Sequence, residues 1–119
     1  MKYLLMIYAD EKAYGAAMAA NPTAGRALMA AHTAFGEKFK TNLCGGEELQ
    51  DTSKARTLRS KAGKVVVTTG PFAETKEQLG GYYVIEAATI DEAVHVAEHC
   101  PGLETGNTFE VRPMIDHGM

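Results

Sequence analysis

The sequence lacks three features that would point to particular classes of protein. It has no excess of positive charge, since the formal net charge is −3, and no nucleic-acid partner is predicted because phosphate binding depends on clustered lysine and arginine. It has no apolar run of about 18 residues, the length needed for a transmembrane helix, so no membrane association is predicted. The apolar N-terminal stretch is short and has no small-residue cleavage site, which argues against a signal peptide.

Cysteine clusters and phosphate-binding loops are also absent. Cys44 and Cys100 are the two cysteines, and their spacing matches no metal motif, which suits a reduced, cytoplasmic environment. The glycine pairs at 45–46 and 80–81 lack the spacing of a phosphate loop or a dinucleotide fingerprint. The sequence therefore predicts a cytoplasmic protein and suggests no nucleotide or other organic cofactor.

The patterns that are present predict one domain over residues 1–119. At 119 residues and 45% hydrophobic, the chain is the size of one ordinary domain with one core. The predicted strands are Tyr3–Tyr8, Leu43–Leu49, Arg56–Ser60, Lys64–Thr69, Tyr82–Ala88 and Thr108–Arg112. The third and fourth flank Lys61-Ala62-Gly63, which is a hairpin signal. Strand, helix, strands, helix and strand in this order predict an α+β fold with a ferredoxin-like βαββαβ protomer.

The first predicted helix begins at Asn21-Pro22, an N-cap followed by proline at the first helical position. Residues 13–20, mostly alanine, are expected to form only a loose helical turn before it. The stripe of the helix that faces the sheet is predicted to contain Leu28, His32, Phe35 and Phe39.

The second predicted helix begins at a capping box that runs from Thr89 to Glu92. Its apolar face is predicted to contain Ile90, Ala93, Val94 and Ala97. His95 and His99 lie four residues apart, a spacing that can bring two ligands to one metal. The sequence fixes no third ligand and the two histidines flank the apolar stripe, so no metal site is predicted.

The predicted strands are apolar on both faces. Three of them show this alternation: Tyr3, Leu5 and Ile7 against Leu4, Met6 and Tyr8; Val65 and Val67 against Val66; Tyr82 and Val84 against Tyr83 and Ile85. Two helices can cover only one face of such a sheet. The second face is predicted to meet another copy of the chain, which gives a homodimer.

The stretch GPFAETKEQLGGYYVIE, Gly70–Glu86, closely resembles the signature of the YCII-related family, in the branch named for its Asp-Gly-Pro-Phe motif. The segments MKYLLMIYADE, CGGEELQ and FEVRPMID extend the resemblance over nearly the whole chain. The resemblance implies ferredoxin-like protomers paired in a dimeric α+β barrel. Wider relatives include small-molecule enzymes, among them a dechlorinating enzyme of aromatic breakdown with a proposed His–Asp reactive centre, whereas other members look like accessory proteins.

Thr69 occupies the position at which that motif carries aspartate. If the aspartate is a catalytic base in relatives, this chain lacks it, since a threonine hydroxyl does not titrate near neutral pH. If the aspartate only holds the turn, Thr69 can bond the nearby backbone in the same way, more weakly. Both interpretations are open, and Thr69 is included among the predicted substrate-binding residues.

His32 is the predicted general base, because it shares the buried stripe of the first helix. Burial would lower its pKa, and two interpretations are open. The imidazole is either a core residue with a satisfied hydrogen bond or a proton-transfer group in a pocket between helix and sheet.

Glu74 and Lys76 follow the fourth strand, in the segment covered by the family signature. They form either an exposed ion pair or part of a loop over the pocket, with Glu74 as acid or base and Lys76 as an anchor for an anion. Arg112 is either a solvated edge charge or a carboxylate anchor. Tyr82 and Tyr83 point to opposite faces, and the sequence does not decide which one lines the pocket. Tyr82, Lys76 and Arg112 complete the predicted substrate-binding set.

Two functions are compatible with these residues. The first is a cofactor-independent enzyme of lyase or isomerase type that acts on a small aromatic or carboxylated metabolite, with His32 moving a proton and Glu74 assisting. The second is a non-catalytic small-molecule-binding or regulatory accessory module, which would keep the pocket and lose the chemistry at Thr69. A fold shared by many chemistries does not choose between them.

Overall fold

The structure, a computed structural model, describes residues 1–118, and Met119, the last residue of the predicted domain, lies outside them. The strands are β1 (Lys2–Ala9), β2 (Leu43–Glu48), β3 (Arg56–Lys61), β4 (Lys64–Thr69), β5 (Gln78–Glu86) and β6 (Thr108–Pro113). The helices are α1 (Glu11–Ala20), α2 (Ala24–Lys38) and α3 (Ile90–Glu98), with short 3₁₀ turns at Thr52–Lys54 and Leu103–Thr105.

Four strands form the main sheet, in the order β2-β5-β1-β6. Every neighbouring pair in it is antiparallel. The chain passes through α1 and α2 between β1 and β2, and through α3 between β5 and β6. This order is that of a ferredoxin-like unit, so the predicted α+β fold is confirmed.

The core lies between the main sheet and helices α2 and α3. Leu5 of β1 and Ile85 of β5 are both 0% exposed at its centre. The other members are Tyr3, Phe35, Phe39, Ala87, Ala93, Val96, Ala97 and Cys100. Phe109 and Val111 of β6 pack against this cluster, whereas Glu110 and Arg112 are exposed, as the alternation of that strand predicts.

The segment before α2 contains a full helix rather than the loose turn that was predicted. Asp10 caps α1, because its Oδ1 accepts hydrogen bonds from the backbone amides of Lys12 and Ala13, both at 3.1 Å. The predicted helix start at Asn21 is wrong, since Asn21 ends α1 and α2 begins at Ala24. The Asn21 side chain instead accepts hydrogen bonds from Thr23. A local Asx turn therefore uses the polar side chain that would otherwise have been the cap.

Helix α3 begins where the sequence predicts but turns a different stripe to the sheet. The hydroxyl of Thr89 accepts a hydrogen bond from the Glu92 amide at 3.2 Å. Ile90 and Val94, predicted on the apolar face, are 43% and 39% exposed, whereas Val96 is buried. Both stripes have helical spacing, and packing against the sheet selects between them. The predicted face is therefore right for Ala93 and Ala97 and wrong for Ile90 and Val94.

Strands β3 and β4 form a hairpin that pairs with no other strand in residues 1–118. The two-residue turn between them has positive φ at Ala62 (51°) and Gly63 (79°), which is the backbone of a type I′ turn. The predicted hairpin is confirmed. The assumption that Val65–Val67 belongs to the main sheet is wrong, because strand pairing depends on contacts distant in sequence.

One face of the main sheet carries no helix of the core. Leu4, Tyr8, Tyr82 and Val84 lie on it and are partly exposed. The protein measures 48 × 47 × 18 Å, and 18 Å is the thickness of one sheet with one helical layer. Within residues 1–118, no helix is long and apolar enough to cross a bilayer. The homodimer through the free face stays a prediction.

Candidate functional site

The best-defined polar contact on the helix side of the sheet joins His32 and Tyr83. His32 Nδ1 and Tyr83 Oη are 2.7 Å apart. The two rings are stacked, with an interplanar angle of 24° and centroids 5.9 Å apart. Both side chains are half-buried rather than sealed in the core. The stripe of α2 that was predicted to face the sheet thus brings His32 to β5.

The Tyr83 ring contacts the aromatic side chain of Phe35 and the backbone of Gly46. Phe35 meets it edge-on, with ring centroids 5.2 Å apart and an interplanar angle of 74°. Gly46 of β2 also lies against Tyr83, since a Cβ at Gly46 would be 2.8 Å from Tyr83 Cδ1 and 2.5 Å from the Tyr82 carbonyl oxygen. Only glycine fits there, so β2 can approach Tyr83 closely and fix its direction.

The surroundings favour a neutral imidazole beside a protonated phenol. Burial lowers the pKa of His32 below its ordinary value, and the charge of Glu48 partly opposes this. Burial also raises the pKa of Tyr83. The pKa of Tyr14, on α1, is raised by burial and by Glu48. Glu48 therefore influences groups on both helices that precede β2.

Glu48 is a member of this site that sequence reasoning missed. In the pairing of β2 with β5, Gly46 faces Tyr83 and Glu48 faces Gly81, so Glu48 and Tyr83 share one face of the sheet. Glu47 points to the other face, beside Tyr82. The period-two alternation from Gly46 could have indicated Glu48, had the register with β5 been known.

Two of the predicted substrate-binding residues lie on the opposite side of the sheet. Tyr82 and Arg112 pair with Met6 and Leu4 of β1 on the free face. The Arg112 side chain is exposed, and its Nε is 4.0 Å from a carboxylate oxygen of Glu110. Of the two tyrosines, Tyr83 therefore accompanies His32, and Tyr82 faces away from it.

The remaining predicted residues lie at the end of the hairpin and in the loop after it. Thr69 ends β4, and Glu74 and Lys76 are exposed in the connection to β5. The carbonyl oxygen of Gly70 accepts a hydrogen bond at 2.8 Å from the hydroxyl of Thr57 on β3, and not from the hydroxyl of Thr69. Within one protomer, the structure does not bring the side chains of Thr69, Glu74 and Lys76 together with His32.

The loop that carries Glu74 and Lys76 is anchored to the start of α1 through Gln78. Gln78 Oε1 accepts a hydrogen bond from the Glu11 amide at 3.0 Å, and Gln78 Nε2 donates to the Thr75 carbonyl. Glu11 in turn accepts hydrogen bonds at its carboxylate from the amide and hydroxyl of Thr52, at 2.8 and 2.7 Å. The loop is thus tied to the same end of the sheet as Glu48.

An open groove of about 390 Å³ runs between α2 and α3, and neither His32 nor Tyr83 is among its lining residues. Its lining includes Phe35, Lys38, His99 and Cys100. Burial raises the pKa of Cys100 to about 12, so this cysteine is a thiol at neutral pH. Among the described residues, no group of three or more His, Cys, Asp or Glu side chains could hold a metal ion.

The tautomer of His32 decides what the pair can do. If Nδ1 carries the proton and donates it to Tyr83 Oη, the lone pair of Nε2 is free to act as a base. The phenol hydrogen is then free to donate to an oxygen of a bound molecule. If the phenol instead donates to Nδ1, Nε2 carries the proton and is a hydrogen-bond donor.

Comparison with known proteins agrees with this fold. The structure is similar to that of 5-chloro-2-hydroxyhydroquinone dehydrochlorinase from Burkholderia phenoliruptrix AC1100, solved with 2,5-dihydroxybenzoquinone, with a TM-score of 0.54 over 99% of this chain and 97% of that one. At 20% identity, the likeness shows the fold alone.

The sequence is similar to an uncharacterized protein of Rhizobium meliloti, with 46% identity over 67 residues. The match covers 56% of this chain and 54% of that protein, so it spans about half the length of the curated relative. The model of the YCII-related domain matches residues 1–117. The chain belongs to the YCII-related family.

Proposed function

We propose that the chain binds a small metabolite on the helix side of the main sheet and transfers a proton there, as a cofactor-independent enzyme of lyase or isomerase type. The contact of 2.7 Å between His32 Nδ1 and Tyr83 Oη carries this proposal. A core histidine with a satisfied bond would explain the contact by itself. The half-exposure of both side chains and the proximity of Glu48 favour a site over a purely structural role.

The proposed chemistry uses the tautomer in which Nδ1–H donates to Tyr83. His32 Nε2 takes a proton from a carbon of the substrate, and Tyr83 donates a hydrogen bond to the substrate oxygen on which negative charge develops. In a lyase, the electron pair left on carbon forms a double bond and expels a leaving group. In an isomerase, the imidazolium returns the proton to a different carbon.

Hydroxylated aromatic or quinone-like compounds are the proposed substrate class. They offer ring oxygens that a phenol can contact and a ring face that the half-buried Tyr83 can pack against. The solved enzyme of similar fold acts, by its name, on a chlorinated hydroxyhydroquinone. The similarity of fold supports the choice of compounds to test, and it assigns no activity to this chain.

The loop residues have supporting roles in this proposal. Glu74 would assist as acid or base, and Lys76 with Thr69 would hold an anionic group. Tyr82 and Arg112, on the free face, would reach a ligand only where that face forms part of a site. We include the homodimer through the free face and a reduced, cytoplasmic location, which suits the two free cysteines.

Ligand binding is the first test. The thermal midpoint would be measured with and without 2,5-dihydroxybenzoquinone and a panel of small phenols and carboxylic acids, since binding to the native state raises the midpoint. Stabilisation is expected in the wild type and in His95→Gln, a control on α3. It is expected to be lost in His32→Gln and in Tyr83→Phe. Equal stabilisation in all four proteins would place the binding site elsewhere.

A binding module without catalysis is the second candidate, and Thr69 is the observation that favours it. Thr69→Asp places the carboxylate of the family motif back in the chain. If the enzyme has lost its chemistry, both proteins bind the ligand and only the Asp variant turns it over. Equal turnover in both, abolished by His32→Ala, would assign catalysis to His32 without that carboxylate. Absence of turnover in both, with binding lost in Lys76→Ala, would favour the module.

A further inference from the structure

The β3–β4 hairpin is amphipathic although it is exposed on both faces. The register pairs Leu58 with Val67 and Ser60 with Val65, so Leu58, Val65 and Val67 share one face. These three side chains are 63%, 70% and 57% exposed. The opposite face carries Arg59, Lys61 and Lys64 beside Val66. An apolar stripe in water on one face of a two-stranded ribbon calls for a partner surface.

The hairpin also differs from the rest of the protein in charge. Residues 52–73 contain five of the 12 basic residues and no acidic one. The rest of the chain holds the other seven basic residues and all 15 acidic ones, a formal charge of −8. The basic residues of the segment are Lys54, Arg56, Arg59, Lys61 and Lys64. One chain therefore carries two surfaces of opposite charge.

The hairpin extends away from the main body. The radius of gyration is 16.5 Å, whereas a compact domain of this length would have about 13.5 Å. A hairpin of two strands is marginally stable in water by itself, and three or more strands or a packed face are needed for independent stability. The hairpin therefore has the geometry of an arm that would be stabilised by packing against another surface.

We propose that this hairpin is a dimerisation arm, which packs its apolar face against a second copy of the chain, while its long basic side chains approach the acidic body of that copy from the edges of the contact. The acidic body supplies the opposite charge, so the chain is complementary to itself. A polyanion such as nucleic acid, or an anionic membrane, would meet the arm favourably but would be repelled by the −8 body. Nucleic acid would also leave the apolar stripe of the hairpin without a partner.

This proposal concerns a different surface from the free face of the main sheet and does not depend on the proposed chemistry. The arm would add contact area to an interface through the free sheet face, because the hairpin pairs with no strand of that sheet in residues 1–118.

The test compares two sets of isosteric substitutions on neighbouring residues. Val65→Thr with Val67→Thr removes apolar surface from the proposed contact face, and Val66→Thr makes the same change on the opposite face. Sedimentation velocity over a concentration series gives the dimer dissociation constant of each protein. We expect the double variant to weaken the dimer about tenfold or more, and Val66→Thr to leave it within about twofold. Circular dichroism of each variant checks that the main sheet is folded.

Two further measurements distinguish a dimer that uses the arm from a dimer that uses only the free face of the main sheet. Carbodiimide coupling in a mixture of isotope-labelled and unlabelled copies is expected to join Lys61 or Lys64 of one copy to an acidic residue of another. Added salt is expected to weaken the wild-type dimer more than the variant with Arg59→Glu and Lys61→Glu. A monomeric wild type, a dimer insensitive to the Val65 and Val67 substitutions, or an arm that couples only to added RNA or anionic vesicles would overturn the proposal.

Discussion

His32 and Tyr83, 51 residues apart in the chain, meet with their rings stacked and with Nδ1 and Oη 2.7 Å apart. The contact joins the middle of α2 to β5 at a point where Gly46 lets β2 come close to the tyrosine ring. Burial acts on the two groups in opposite directions, lowering the pKa of the imidazole and raising that of the phenol. Both changes keep the pair uncharged near neutral pH, the state in which proton exchange with a bound molecule requires little rearrangement.

The lowered pKa of His32 predicts a specific pH dependence of stability. Below the ordinary value of 6.5, the histidine of the unfolded chain takes up a proton before that of the folded chain does. The unfolded state then binds more protons, so stability should fall as the pH falls from 6.5 toward the folded pKa, and change no further below it. Urea unfolding of the wild type and of His32→Gln at a series of pH values checks this. Parallel curves for the two proteins would contradict it.

Glu48 should tune the titration of His32. Since the Glu48 charge opposes the lowering of the His32 pKa, Glu48→Gln is expected to lower that pKa further. The pKa of Tyr14, which Glu48 raises, should also fall. Glu47→Gln is the matched control, because Glu47 points to the other face of β2. Titration of the His32 ring by NMR separates the two variants, and an equal effect of both would contradict the register-based assignment.

Gly46 and Gly15 should respond in opposite ways to substitution by alanine. A Cβ at Gly46 would collide with the Tyr82 carbonyl and the Tyr83 ring, so Gly46→Ala is expected to destabilise by about 1–3 kcal/mol and to weaken ligand binding. Nothing lies within 4 Å of a Cβ at Gly15, inside α1, and Gly15→Ala is expected to stabilise by about 0.5–1 kcal/mol. Urea midpoints measured at one protein concentration check both changes, and a neutral Gly46→Ala would show that β2 can move away from Tyr83.

Two isoleucines distinguish the core from the surface. Ile85 of β5 is 0% exposed, so Ile85→Ala is expected to cost about 2–5 kcal/mol through lost burial and a cavity. Ile90 lies in the first turn of α3 and is exposed, so Ile90→Ala is expected to change stability by less than about 0.5 kcal/mol. The same unfolding measurement applies to both. A large loss for Ile90→Ala would indicate that this residue is covered by another surface in solution.

Features that depend on near neighbours in the chain follow directly from the amino-acid sequence. The alternation of Phe109 and Val111 with Glu110 and Arg112 predicts which side of β6 is buried, because a strand has a period of two. The hairpin turn at Ala62-Gly63 and the helix start at Thr89 are also local, since each depends on backbone conformation or a cap within a few residues. The stripe of α2 that brings His32 toward the sheet follows from helical spacing.

The tertiary structure alone decided which of several equivalent local patterns is used. Val94 and Val96 both fit an apolar stripe of α3, and only packing against the sheet buries Val96. Tyr82 and Tyr83 alternate in any strand, and only the position of α2 makes Tyr83 the partner of His32. The separation of the β3–β4 hairpin from the main sheet and the place of Glu48 beside Tyr83 depend on strand pairing. Pairing is set by contacts between distant segments, whose free energy the local sequence pattern does not contain.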